Sequence, residues 1–457
     1  MNAPVSFGEG RRRVAVTGYG AMCSLGHSAS EIRAAVRDNV RGLRTITRFD
    51  PSGYDVTIAG EVPDFRPEDR IDRKQARRMD RFTQFAMAAA LEAVEMSGVD
   101  IAAAPDRVGV VAGTAFGGVE TFTRSVETLV TRGPRRLGPF SVPMVIPNMA
   151  PGLLAIELGA TGPAFAYASA FTSAANAIGE AMRMIQQCRA DVMVCGGSEA
   201  PIVDLMVAGF DAMGSLSHSN ADPGGAVKPF DLNRNGCALG EGGAMLVLEA
   251  WDHAIARGAT IVAELVGYGS TADAYHDVQI APGGEGLVRA MRLALDDAAV
   301  SPSCVGYVNA HGTGTAMNDA YETIALRTVF REIADRIPIS GTKSRTGHLL
   351  GAAGALEAVL TMQAMEDGVL PSTLNLETPD PACDLDYISG TARVKAVEVA
   401  MSNSMGFGGH NVSLIFRRPD RTTQQRSSVI ERSDHEPPGK TGQLESGRDP
   451  KVPTALA

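Results

Sequence analysis

Runs of apolar residues that stop at glycine, separated by stretches of helical periodicity, limit what this chain can fold into more than any other feature. Val14-Ala15-Val16-Thr17-Gly18-Tyr19-Gly20 reads as a short buried strand that ends in a glycine turn. Val108-Gly109-Val110-Val111-Ala112-Gly113 and Asp191-Val192-Met193-Val194-Cys195-Gly196-Gly197 have the pattern of buried parallel strands. Between Thr172 and Gln186 the apolar residues Ala175, Ile178, Met182 and Ile185 recur at three and four, which predicts a helix. Such alternation continues to about Phe416 and implies a layered α/β architecture.

At 457 residues the chain is long enough for two fused sub-domains. Residues 1–10 read as a flexible leader, 11–260 as a first half, 261–417 as a second half and 418–457 as a polar, disordered tail. The second half opens with Ile261-Val262-Ala263-Glu264-Leu265-Val266-Gly267-Tyr268-Gly269, an echo of Gly18-Tyr19-Gly20 that two unrelated buried strands would also produce. A net charge of −10 argues against a nucleic-acid partner. No run of 18 apolar residues and no signal-peptide core is present, so a cytoplasmic protein without a membrane partner is expected. The six cysteines lack paired or metal-type spacing and read as reduced thiols, with no metal expected.

Four segments then carry chemistry. Gly162 to Gly179, with Ala170-Phe171-Thr172 inside it, resembles the active-site segment of the elongating β-ketoacyl-acyl carrier protein synthases. Tyr307-Val308-Asn309-Ala310-His311-Gly312-Thr313-Gly314-Thr315 resembles their first histidine motif. Thr342-Lys343-Ser344-Arg345-Thr346-Gly347-His348 resembles their lysine and second-histidine motif, and Asn403-Ser404-Met405-Gly406-Phe407-Gly408-Gly409 their gating loop. The resemblance spans about Arg11 to Phe416. It implies the thiolase fold, five αβαβα layers built from two duplicated halves, in a dimer with itself or with a homologous subunit. It also implies decarboxylative Claisen condensation of an acyl thioester with malonyl-acyl carrier protein, in fatty acid or specialised polyketide synthesis. No cofactor is implied beyond the carrier's phosphopantetheine.

That reaction explains the residue types. Two imidazoles at one point stabilise an enolate oxygen by N–H donation. By resemblance His311 and His348 take this role, Lys343 supports them through charge, and Asp319, Glu322 and Glu357 hold the network. Thr313 and Thr315 match threonines that bind the pantetheine arm, and Phe407 and Gly408 belong to the gating loop.

Family members carry their nucleophilic cysteine where this chain has Phe171. Cys237, in Asn235-Gly236-Cys237-Ala238-Leu239-Gly240, stands where the family places a phenylalanine beside that cysteine. Three readings follow: Cys237 is a relocated nucleophile, the chain decarboxylates malonyl-acyl carrier protein without being acylated, or it is a non-catalytic partner like a chain-length factor. The exchange of Phe and Cys between the two positions favours the relocated nucleophile over a small hydrophobic filler at Cys237, and acyl transfer onto that thiol is the expected first step. Phe116 matches a gate to the acyl pocket or packs in the core, and His410 reads as a surface or packing residue. Two basic clusters, Arg73, Lys74, Arg77 and Arg78 with Arg135 and Arg136, match positions that contact an acidic carrier protein, although charge runs are often only solvated faces.

Overall fold

The computed structural model describes residues 11–419. The leader expected over 1–10 and the tail expected beyond Pro419 lie outside the described residues. One mixed sheet contains β1 (Val14–Met22), β2 (Val108–Gly113), β3 (Ala164–Tyr167), β4 (Val192–Glu199), β5 (Gly242–Ala250), β6 (Ala263–Ala272), β7 (Tyr307–Asn309), β8 (Ile339–Ser340), β9 (Val399–Gly406) and β10 (His410–Arg417). Their order is β8-β7-β9-β10-β6-β1-β5-β4-β2-β3.

Outward from the centre, β1-β5-β4-β2-β3 and β6-β10-β9-β7-β8 follow the same sequence of chain positions. In each set the first two pairings are antiparallel and the last two parallel. The halves meet through β1 and β6 over only two residue pairs, Ala15 with Glu264 and Val16 with Ala263. One strand-and-helix plan is thus built twice.

The repeated Gly-Tyr-Gly has a packing cause. A Cβ on Gly18 or Gly20 would lie 2.2 Å from the carbonyl oxygen of Ala93 or Ala89, on helix α1 (Arg81–Ser97). On Gly267 or Gly269 it would lie 2.3 or 2.0 Å from the carbonyl of Ala294 or Ala290, on helix α2 (Glu285–Ala298). In both halves the glycines let a helix backbone lie directly on the strand. The turn expected at Gly20 is therefore absent, and β1 runs on to Met22.

Helix α1 covers β1, β5 and β4, and α2 covers β6 and β10. Between the halves lie α3 (Ser173–Gln186) and α4 (Ala353–Asp367), which touch each other and pack on strands of both halves. Nine of the fourteen residues from Ser173 to Gln186 are apolar or glycine, and only Glu180, Arg183 and Gln186 fall outside its buried positions. A helix apolar nearly all round is one buried between layers. No helix among the described residues is long and apolar enough to cross a membrane.

Candidate active site

Three loops meet at the ends of the central helices. Before α3 the chain turns sharply at Ala170, a non-glycine residue at φ 52°. Side chains fix that turn: Thr172 Oγ1 donates to the Ser169 carbonyl at 2.8 Å, and the Ser169 N–H donates to Ser173 Oγ at 2.9 Å. Phe171 is thereby set at the mouth of the helix with its ring turned inward, 6 % exposed. Its ring centroid lies 4.8 Å from that of His348, 4.6 Å from Phe407 and 6.2 Å from Phe210.

His311 follows the buried strand β7, and His348 precedes the turn into α4; their ring centroids are 5.3 Å apart, nearly edge to face. Lys343 Nζ donates to His311 Nδ1 at 3.2 Å and to the His311 carbonyl at 2.6 Å, and pairs with Glu357 Oε1. An ammonium only donates, so His311 Nδ1 accepts and the proton of the neutral ring sits on Nε2. The Leu350 N–H likewise donates to His348 Nδ1 at 3.2 Å, which puts that proton on Nε2 as well. Burial first, and the Lys343 charge second, hold both imidazoles well below their usual pKa. His348 Nε2 is buried and has no hydrogen-bond partner among the described residues. Such an orphan is costly unless something is meant to bind it.

Carboxylates hold the supporting loops. Glu322 accepts the His311 and Gly312 N–H groups, each at 2.8 Å, and burial pushes it up to about 7. Asp319 accepts from the Phe230 N–H at 2.8 Å and the Gly314 N–H at 3.2 Å. Burial also raises Glu357, against the lowering effect of Lys343. Thr313 and Thr315 hydroxyls bond each other at 2.9 Å.

Cys237 lies in the same buried apolar cluster as Phe171, Phe210, Leu350 and Phe407. Its Sγ donates to the Ser215 carbonyl at 3.4 Å, and burial pushes the thiol up to about 12. No hydrogen bond joins it to either imidazole among the described residues. Phe116, expected as a gate or a core residue, is 40 % exposed at the chain surface, its ring 6.2 Å from Phe210. Core packing is thus the wrong account of it, because its loop lies at the rim. His410 is half-buried where β10 begins, and Met405 is in the core. Gly408, at φ 79°, donates its N–H to the Asp277 carbonyl at 2.7 Å.

Arg73, Lys74, Arg77, Arg78, Arg135 and Arg136 are all exposed, and none forms an ion pair among the described residues. The Arg78 guanidinium sits 4.8 Å over the Phe140 ring, so the two basic segments share one face.

Two site residues escaped sequence reasoning. Phe210 sits on a short helix, Asp204–Ala212, where Met206, Val207 and Phe210 form a three-and-four apolar stripe. Glu199 ends β4, and a carboxylate closing an apolar strand was the available signal.

A doubled α/β fold thus carries a buried pair of neutral imidazoles beside a lysine, an arrangement suited to an enzyme that stabilises an oxyanion. Residues 11–254 match the N-terminal domain of β-ketoacyl synthases, and 262–377 match their C-terminal domain. The 3-oxoacyl-[acyl-carrier-protein] synthase 2 of Staphylococcus aureus (strain COL) is 47 % identical over 408 residues, 89 % of this chain and 98 % of that protein. The enzyme of the same name from Synechocystis sp. is 45 % identical over 409 residues, again 89 % and 98 %. Among solved structures, the ishigamide ketosynthase/chain length factor superposes with a TM-score of 0.85 at 34 % identity, covering 90 % of this chain and all of that one. The type II ketosynthase AntDE, in complex with its acyl-carrier protein AntF, gives 0.83 at 32 % with the same coverage. The chain belongs to the β-ketoacyl synthase family, the acyltransferases of the condensation step in fatty acid and polyketide synthesis.

Proposed function

We propose that this chain runs the decarboxylating half of the condensation on malonyl-acyl carrier protein, with Phe171 in the place of the family's nucleophile. The observation that carries this reading is the unpartnered, buried Nε2–H of His348, facing the Phe171 ring beside a second imidazole of the same tautomer. Two neutral N–H donors suit an oxygen that gains charge during the reaction. As CO₂ leaves, the bond between the carboxylate carbon and C2 breaks and its electron pair moves to the thioester oxygen, where His311 and His348 donate. Water then returns a proton to C2, leaving an acetyl thioester. Phe171 fills the space that an enzyme-bound acyl group would take.

A full condensation through Cys237 is the second reading, favoured by its place in the same apolar cluster. Against it, a nucleophile must be a thiolate, whereas this sulfur points at a carbonyl and is raised to about 12. The two readings part in the Cys237→Ala variant. Its CO₂ release from malonyl-acyl carrier protein is expected within about twofold of the parent, since the sulfur removed bonds the Ser215 carbonyl and neither imidazole changes partner. A loss of a hundredfold would assign Cys237 to the reaction.

The partners that the family resemblance implies fit this surface. The single basic face suits an acidic carrier protein. Strand β3 is paired on one side only, by β2, and Phe165 on it is 45 % exposed. Phe122, Val126, Leu129 and Val130 on the helix Val119–Arg132 are exposed as well. An open strand edge and an exposed apolar helix face each need a cover, which we assign to a second ketosynthase-like subunit, the same chain or a homologue.

A further inference from the structure

We propose that Glu199 is a positioning residue: its carboxylate clamps the strap at 114–116 to the turn at Gly351 and so fixes the His348 imidazole as an Nε2–H donor. This rests on the reading that His348 Nε2–H serves the developing oxyanion.

Glu199 is the last residue of β4 and is fully buried. One carboxylate oxygen accepts from Thr114 Oγ1 at 2.8 Å and from the Phe116 N–H at 3.2 Å. The other accepts from the Ala115 N–H at 2.6 Å and the Gly351 N–H at 3.0 Å. Four donors from two separate segments thus converge on one side chain, and no cation is among its partners. Burial alone raises the carboxyl, to about 7. The two segments touch so closely that a Cβ on Gly351 would lie 2.3 Å from the Ala115 nitrogen.

The turn held in this way is strained. Leu350 has φ 48°, a left-handed conformation that residues with a Cβ disfavour. Such strain persists only where neighbours over-determine it. The same Leu350 supplies the N–H that His348 Nδ1 accepts. Gly351 is the next residue, so its bond to Glu199 sets the direction of the strained peptide and, through it, the tautomer of His348. At its other end the clamp carries Phe116, whose ring meets Phe210 at the rim. Strap and oxyanion donor therefore move as one unit.

Glu199→Gln keeps the shape but places an NH₂ group against at least one backbone N–H in either orientation. The test uses full-length protein labelled with ¹⁵N-histidine, the His348 signals being assigned by their loss in His348→Ala. The parent is expected to show a single Nε2–H tautomer for His348, and Glu199→Gln a mixture of both. In the same variant kcat for CO₂ release should fall by about tenfold or more, as misplacement of a reacting group does, with KM for malonyl-acyl carrier protein unchanged. Thr114→Val, which removes one of the four donors, should shift both readouts the same way by less and decides the matter if Glu199→Gln does not fold. A pure Nε2–H signal with parental kcat in either folded variant overturns the proposal. The tautomer readout does not depend on catalysis: a parent that releases no CO₂ contradicts the functional reading, and the histidine signals still decide the role of Glu199.

Discussion

Phe171→Cys is expected to take up one acyl group per chain from acyl-carrier protein, seen as a mass increase that maps to residue 171. The turn at Ala170 and the helix behind it are already in place, and Thr172 is the N-cap residue of α3. A thiol there would face the N-terminus of a 14-residue helix, whose dipole favours the thiolate. Removing the ring also opens the volume that an acyl chain needs. The same void costs stability, about 3 kcal/mol by analogy with other buried large-to-small changes. Adding Cys237→Phe should recover much of that loss, because both residues belong to one apolar cluster and the exchange conserves volume. Intact-protein mass and thermal unfolding measure the two effects. No adduct in a folded Phe171→Cys protein would show that residue 171 is not the nucleophile's place.

His348→Ala should lower kcat for CO₂ release by about a hundredfold to a thousandfold, the usual loss on removing one oxyanion donor. His311→Ala should do the same, and the double variant should lose little more than either, because one oxygen is shared between the donors. His348→Gln retains a donor of similar reach and should recover part of the rate. The Leu350 N–H loses its acceptor in His348→Ala, so some stability is lost and the rate is read on protein shown to be folded. Parental rates in His348→Ala would remove this imidazole from the chemistry.

The α/β alternation and the histidine and lysine motifs were legible because each is local. Glycine-stopped apolar runs mark buried strands, and His311, His348 and Lys343 each sit in a distinctive short segment. The order of the strands was not legible, since the pairing of β1 with β6 depends on residues about 250 positions apart. Gly20 reads in the sequence as the turn that ends a strand: sequence alone does not distinguish a glycine that bends a chain from one that admits a helix. Phe116 reads as a gate by resemblance or as core by residue type, and its exposure is set by tertiary context that neither reveals. Glu199 reaches Gly351 across 152 residues, and no pattern in either segment announces that bond. The chemical state of Cys237 was equally hidden, because the Ser215 carbonyl that receives its hydrogen is set by a bridge between two loops.

The most direct test joins two readings on the unaltered protein: CO₂ released from malonyl-acyl carrier protein, and intact mass after incubation with acyl-acyl carrier protein. The account predicts CO₂ with acetyl-carrier protein as the product and no added mass on the chain. An acyl adduct mapped to Cys237, or the absence of CO₂ release, would contradict it.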